Sequence, residues 1–233
     1  MTRLGVAALA VLAATTITAA TVALLPSGLT YVPLDDPPGF RRLDGSALAL
    51  TPSARVFAGI GADDAPPAPA DLAALHTAGG PGVPVAVFAD FACTVCAPLD
   101  DLLSERAARG AIALTRHPVA RLSQASAVGA RAAAAADLQA RPGALDRRLY
   151  RTSFLPTTEW LRAVAAEEGL DADRLLADME GEAVAARVAR SEALARRFGV
   201  VGTPVLVVGR TVVTGAPSAR RLDALIKAER EAR

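Results

Sequence analysis

Val83-Pro84-Val85-Ala86-Val87-Phe88-Ala89-Asp90-Phe91-Ala92-Cys93-Thr94-Val95-Cys96 is the stretch on which the reading of this chain turns. Val83 to Phe91 is an apolar run with β-branched residues, the pattern of a strand buried on both faces. Cys93 to Arg109 follows as a helix, stopped by Gly110. Ala111 to Arg116 reads as a second strand, closed by His117-Pro118. A strand, a helix and a strand in this order form a βαβ unit, with parallel strands and a right-handed crossover.

Working outward toward the C-terminus, Ser123 to Ala140 is almost continuous alanine and strongly helical on propensity. Pro142-Gly143 breaks it. Short helices are expected at Leu145–Tyr150 and from a Thr158 cap through Trp160 to Glu168. Another runs from an Asp171 cap to Glu180. Glu182 to Phe198 is a further helix, with Glu192 and Arg196 spaced as an i,i+4 pair. Val205–Val208 and Thr211–Thr214 then flank Gly209-Arg210, which fits a type II′ hairpin. Arg220 onward is a terminal helix with Leu222, Leu225 and Ile226 on one face. The fold class is α/β with a helical insertion.

Toward the N-terminus the pattern dissolves. Residues 26–82 carry Pro26, Pro33, Pro37-Pro38, Pro52, Pro66-Pro67 and Pro69, a density that excludes long helices and central strands. This leader is read as a tether holding a short strand at Ala54–Ile60 and a short helix at Pro69–His76. Leu4 to Leu25 is apolar or small behind Arg3, the layout of a secretory signal. As a helix it would reach about 33 Å, enough to cross a bilayer. A cleaved signal and an uncleaved anchor both fit residues 1–25, and both send the rest of the chain out of the cytoplasm. The expected organisation is thus 1–25 signal or anchor, 26–82 leader, 83–122 and 182–233 core, and 123–181 helical insertion.

Composition narrows the function. The 233 residues are 52% hydrophobic and 21% charged, with net charge +1, so the chain is neither disordered nor a polybasic nucleic-acid binder. Aromatics at 4% leave little for stacking on bases or sugars. Two cysteines and two histidines leave little for a metal, and no cofactor is expected.

The reactive feature is Cys93-Thr94-Val95-Cys96, set where a strand gives way to a helix. The helix dipole and unpaired first-turn amides favour a thiolate at Cys93. Cys96, one turn on, is expected to be deeper and can resolve a mixed disulfide. A structural disulfide, half a zinc site using His76 and His117, and two inert core cysteines are the competing readings. Val201-Gly202-Thr203-Pro204 precedes a strand, where proline loses no ladder bond. On local sequence alone the Thr203-Pro204 bond is an ordinary trans one. A cis bond would hold the Thr203 backbone beside the cysteines, where it could pair with an extended peptide.

Phe88-Ala89-Asp90-Phe91-Ala92-Cys93-Thr94-Val95-Cys96 resembles the active-site strand and helix start of DsbA-like thiol–disulfide oxidoreductases. Gly199-Val200-Val201-Gly202-Thr203-Pro204, followed by Gly209-Arg210 and Gly215-Ala216, resembles their cis-proline loop and hairpin. Arg116-His117-Pro118, the Ala-rich segment and Gly169-Leu170-Asp171 fit in the same order, so the similarity spans about Val83 to Ile226. The resemblance implies a thioredoxin-like fold, Cys93 as nucleophile, Cys96 as its partner, a redox disulfide between them, and a cis Thr203-Pro204 bond at the substrate. Thr94-Val95 departs from the Pro-His pair of the most oxidising members, which implies a milder oxidant.

Pro98 is expected to deprive the Thr94 carbonyl of an intrahelical partner, giving a bend or a bound water. Asp90 could relay protons to Cys96 but is read first as a solvated strand-end carboxylate, and His117 as structural. Two functions remain open. One is an exported, periplasmic or tethered oxidoreductase acting on protein thiols and disulfides and recycled by a membrane or soluble redox partner. The other is a client-specific assembly factor, for metal centres or cytochromes, with little general activity.

Overall fold

The computed structural model describes residues 29–45 and 71–233. Its strands form one six-stranded mixed sheet. The strands are β1 (Tyr31–Pro33), β2 (Arg41–Leu43), β3 (Val83–Ala89), β4 (Ile112–Pro118), β5 (Val205–Val208) and β6 (Thr211–Thr214). Their spatial order is β1-β2-β6-β5-β3-β4. The pair β3 and β4 is parallel, joined by helix α1 (Cys96–Ala108), as the βαβ pattern requires. β5 runs antiparallel to both β3 and β6. Gly209 opens the β5–β6 turn at φ 55°, a left-handed conformation that suits glycine.

The strand β3 is central and buried on both faces. Val83, Val85 and Val87 point to one side, where Leu99 and Leu103 of α1 pack with Leu222 and Leu225 of the terminal helix. Ala86 and Phe88 point to the other side, against Leu194, Ala195 and Phe198. This period of two is why the run carries no polar residue.

Between β4 and β5 lie α2 (Gln124–Leu138), α3 (Asp146–Tyr150), α4 (Thr158–Glu167), α5 (Ala172–Met179) and α6 (Glu182–Arg197). The alanines Ala132 to Ala136 form the floor of a second core with Leu145, Leu149, Leu161 and Leu175. Their small side chains let the neighbouring helices approach closely. α6 joins the two cores: Val184 packs in the insertion, while Leu194 and Ala195 pack on the sheet. Terminal helix α7 (Ala219–Glu231) is capped by Ser218, whose side chain accepts from the Arg221 amide.

Several local expectations are corrected. Thr157, not Thr158, caps α4, its hydroxyl oxygen accepting from the Trp160 amide. Glu192 pairs with Arg121 at 2.8 Å rather than with Arg196. The helix after Cys93 begins at Cys96 instead, because Pro98 has no N–H to close an α-helical bond onto the Thr94 carbonyl. Pro98 therefore occupies the first turn, where its missing N–H costs no intrahelical bond.

The leader holds a hairpin that proline density alone does not predict. β1 and β2 pair antiparallel, and β2 lies parallel to β6. Arg41 donates to Thr211 Oγ1 at 2.9 Å and to Glu229 at 2.8 Å, and stacks over Tyr31 at 4.1 Å. Pro33 is tolerated because it closes an edge strand. A short 3₁₀ turn, Leu72–Ala74, lies within the expected helix at Pro69–His76. The expected strand Ala54–Ile60 and the apolar segment Leu4–Leu25 lie outside the described residues. Among the described residues no helix is long and apolar enough to cross a membrane.

Candidate active site

β3 ends at Ala89, and the chain turns through Asp90-Phe91-Ala92 to bring Cys93 to the end of the sheet. The Cys93 amide donates to the Asp90 carbonyl at 3.0 Å, and the Cys96 amide donates to the Cys93 carbonyl at 3.0 Å. Two successive turns thus hand the chain from strand to helix. They place Cys93 just ahead of α1 and Cys96 at its first residue. The two cysteines are joined as a disulfide with Cα atoms 5.3 Å apart. Cys93 is 8% exposed and Cys96 1%, so a reactant from solvent reaches Cys93 first.

Opposite the disulfide stands the loop before β5. The Thr203-Pro204 bond is cis. It turns the Thr203 carbonyl toward the cysteines, where its oxygen lies 3.7 Å from Cys93 Sγ. In the disulfide this sulfur has no proton to give, so the contact becomes a hydrogen bond only when Cys93 is a thiol. Val95 and Val201, either side of this gap, are 51% and 67% exposed. A shallow cleft between Phe91, Ala92, Phe154 and Pro156 lies against the insertion.

Asp90 is not solvated. It is fully buried. Its Oδ1 accepts from the Ala92 amide at 2.8 Å and from Ser126 Oγ at 2.6 Å. Its Oδ2 accepts from the Arg121 and Leu122 amides at 2.7 and 3.0 Å. A polar residue after an apolar strand reads locally as surface, and three of its four donors come from 31 to 36 positions downstream.

A charge cluster that the sequence reading missed lies where sheet, α1 and insertion meet. Arg116 Nε donates to Asp100 at 2.7 Å and lies 3.0 Å from Asp146, and its Nη2 donates to Ser104 at 2.7 Å. Asp137, paired with Arg187, faces the same space. Burial pushes Asp146 up to about 7, while the carboxylates around Arg116 hold its guanidinium protonated. Tyr150 is driven up by burial, and its ring packs 4.7 Å from Phe91. Asp100 at four residues after Cys96 was the only local hint, since i,i+4 spacing puts it on the same helix face.

The histidines point elsewhere. His117 Nε2 lies 2.9 Å from the Leu75 carbonyl, and its ring stacks on Phe88. Burial pushes it down to about 4. His76 Nε2 lies 3.2 Å from the Gly209 carbonyl. Each is engaged in packing, away from the cysteines.

A disulfide ahead of the first helix, facing a cis-proline on a mixed sheet, defines a thioredoxin-like fold carrying a redox cysteine pair. The chain belongs to the family of DSBA-like thioredoxin domains, whose model matches residues 98–227 and so begins just past Cys96. A thioredoxin-like oxidoreductase from Silicibacter pomeroyi is similar, at 31% identity and TM-score 0.58 over 66% of this chain and 91% of that one. Oxidoreductase DsbA from Xylella fastidiosa is 25% identical over 63% and 87%, with TM-score 0.53. The thiol–disulfide exchange protein alpha-DsbA2 from Wolbachia pipientis shares the fold at 20% identity and TM-score 0.60, over 68% and 88%. Comparison with curated protein sequences gives no match.

Proposed function

We propose that this protein is an exported thiol–disulfide oxidoreductase that exchanges disulfides with other proteins through Cys93 and Cys96. The observation that carries this reading is the Thr203 carbonyl 3.7 Å from Cys93 Sγ. An acceptor held against the more exposed cysteine suits a loop on which an extended substrate backbone pairs as an added strand. Thr203 and Pro204 are therefore the substrate-binding residues, and Cys93 and Cys96 the catalytic ones.

In the oxidising direction, a substrate thiolate attacks Cys93 Sγ. The Cys93–Cys96 bond breaks, and Cys96 leaves as a thiolate that takes up a proton. A second substrate thiolate then attacks the substrate sulfur of the mixed disulfide. The substrate disulfide forms, Cys93 leaves as a thiolate, and two electrons have passed to the pair. A disulfide- or quinone-class redox partner, soluble or in the membrane, must take those electrons for a further turnover. The reverse sequence reduces or reshuffles a substrate disulfide. Thr94-Val95 offers no cation to the thiolate, which favours a mild oxidant. The apolar segment from Leu4 to Leu25 behind Arg3 supports export, to a periplasmic or other extracytoplasmic site, with or without a tether.

Insulin reduction by dithiothreitol tests the reading. The wild-type protein should accelerate it, and Cys93→Ser should lose more than 90% of the acceleration, on the order expected for removal of an essential nucleophile. No acceleration by either protein refutes general oxidoreductase activity and leaves the client-specific assembly role.

A further inference from the structure

Asp90 is a buried carboxylate that the exchange steps above do not use. Its four hydrogen bonds all come from neutral donors: three backbone amides and the Ser126 hydroxyl. None of the ion pairs among the described residues includes it. Arg121 gives it only a backbone amide and turns its guanidinium to Glu192 at 2.8 Å. Each carboxylate oxygen accepts two donors. An amide side chain in its place satisfies only half of the set, because its NH₂ faces either the Arg121 and Leu122 amides or the Ala92 amide and Ser126 hydroxyl. The donor set is thus specific for an anion.

This anion lies one turn before the cysteine pair. The Asp90 carbonyl accepts the Cys93 amide at 3.0 Å in a four-residue turn, so the two Cα atoms lie within about 7 Å. The same side chain fastens that turn to the loop after β4 and to the first turn of α2. A charge so placed cannot swing away when Cys93 ionises.

We propose that Asp90 is a positioning residue acting through Cys93: its fixed negative charge opposes the Cys93 thiolate and holds the pair less oxidising than the helix start alone would. Two negative charges roughly 10 Å apart at an effective dielectric near 20 shift an equilibrium by about tenfold. This inference rests on Cys93 being the attacking sulfur, but its test needs no protein substrate.

The experiment is the pH dependence of Cys93 alkylation by iodoacetamide in the reduced protein, located by mass spectrometry, with thiolate absorbance as a second signal. In Asp90→Asn the charge is gone. Cys93 should then react about tenfold faster on the acid side of its titration, and the equilibrium with glutathione should move about tenfold toward the dithiol, about 30 mV for this two-electron couple. Ser126→Ala keeps the charge and removes its 2.6 Å donor. With less screening, Cys93 should react about threefold more slowly, a change in the opposite sense. An unchanged Cys93 titration in Asp90→Asn overturns the proposal. So does faster alkylation in both variants, which would mean that loosening the turn, not charge, sets reactivity. If Asp90→Asn does not fold, Ser126→Ala decides alone: slower alkylation supports the proposal, and an unchanged or faster rate overturns it. A protein inert toward insulin that still shows these shifts would refute the function while leaving the role of Asp90 intact.

Discussion

Replacing His117 with glutamine should make the protein more resistant to acid than it is now, although the change weakens it at neutral pH. His117 is 5% exposed and stacks on Phe88, and burial holds it near 4 against its ordinary 6.5. Because the folded value is depressed, its contribution to stability is intact above pH 6.5 and is lost as pH falls toward 4. Between pH 7 and pH 4.5 the unfolded chain gains a proton at this site that the folded chain refuses, costing about 2.5 kcal/mol. Asp146 acts in the opposite sense. Its value is raised to about 7, so its contribution is lost as pH rises through 7 and recovered as pH falls. The wild-type profile alone would therefore look flat. The difference between wild type and His117→Gln isolates the histidine, since Asp146 is common to both. Glutamine can still donate to the Leu75 carbonyl, but loses the ring stacking, at a cost of about 1 kcal/mol at pH 7. Urea unfolding of both proteins at pH 7 and pH 4.5 measures the four free energies. The variant should close the gap and overtake wild type by about 1.5 kcal/mol at pH 4.5. If the difference between the two proteins stays constant with pH, His117 is not held neutral by burial and the reasoning fails.

Arg116→Met should destabilise the protein by about 3–5 kcal/mol at pH 7, because Asp100 and Asp146 would lose their shared cation inside the fold. Part of that loss should return at pH 5, where Asp146 is protonated, and urea melts at the two pH values read the difference. Gly129→Ala lies inside α2, where alanine ordinarily gains up to about 1 kcal/mol. Here the added methyl would sit 2.9 Å from the Phe91 ring, so a net loss of about 1 kcal/mol is expected, and a raised melting temperature would contradict it.

Local rules suffice where partners are local. β3, α1 and the β5–β6 hairpin follow from apolar runs, glycine stops and a two-residue turn, all read within a dozen positions. The helical insertion follows likewise from its caps. The boundary of α1 was missed by three residues because proline's missing donor acts on the residue four positions before it. Long-range polar pairing is where pattern reading gave out. Asp90, Asp100 and Arg116 look like ordinary surface residues beside apolar ones, and only the folded topology brings Asp90 to Ser126 of α2 and sets Arg116 of β4 between Asp100 of α1 and Asp146 of α3. The β1–β2 hairpin failed for the same reason. Arg41-Arg42-Leu43 has neither alternation nor length, and what holds it is Thr211 and Glu229, 170 and 188 positions away.

That hairpin bears on how the protein can be shortened. The stretch before residue 71 looks dispensable, since both cysteines and the cis-proline follow it. Yet removing it would strip the guanidinium from a glutamate that is almost wholly inside the molecule. It would also bare the outer edge of β6, leaving its backbone groups open to pairing with another copy of the chain. The β1–β2 hairpin and the last helix are sewn together at this seam, and trimming one of them unpicks the other.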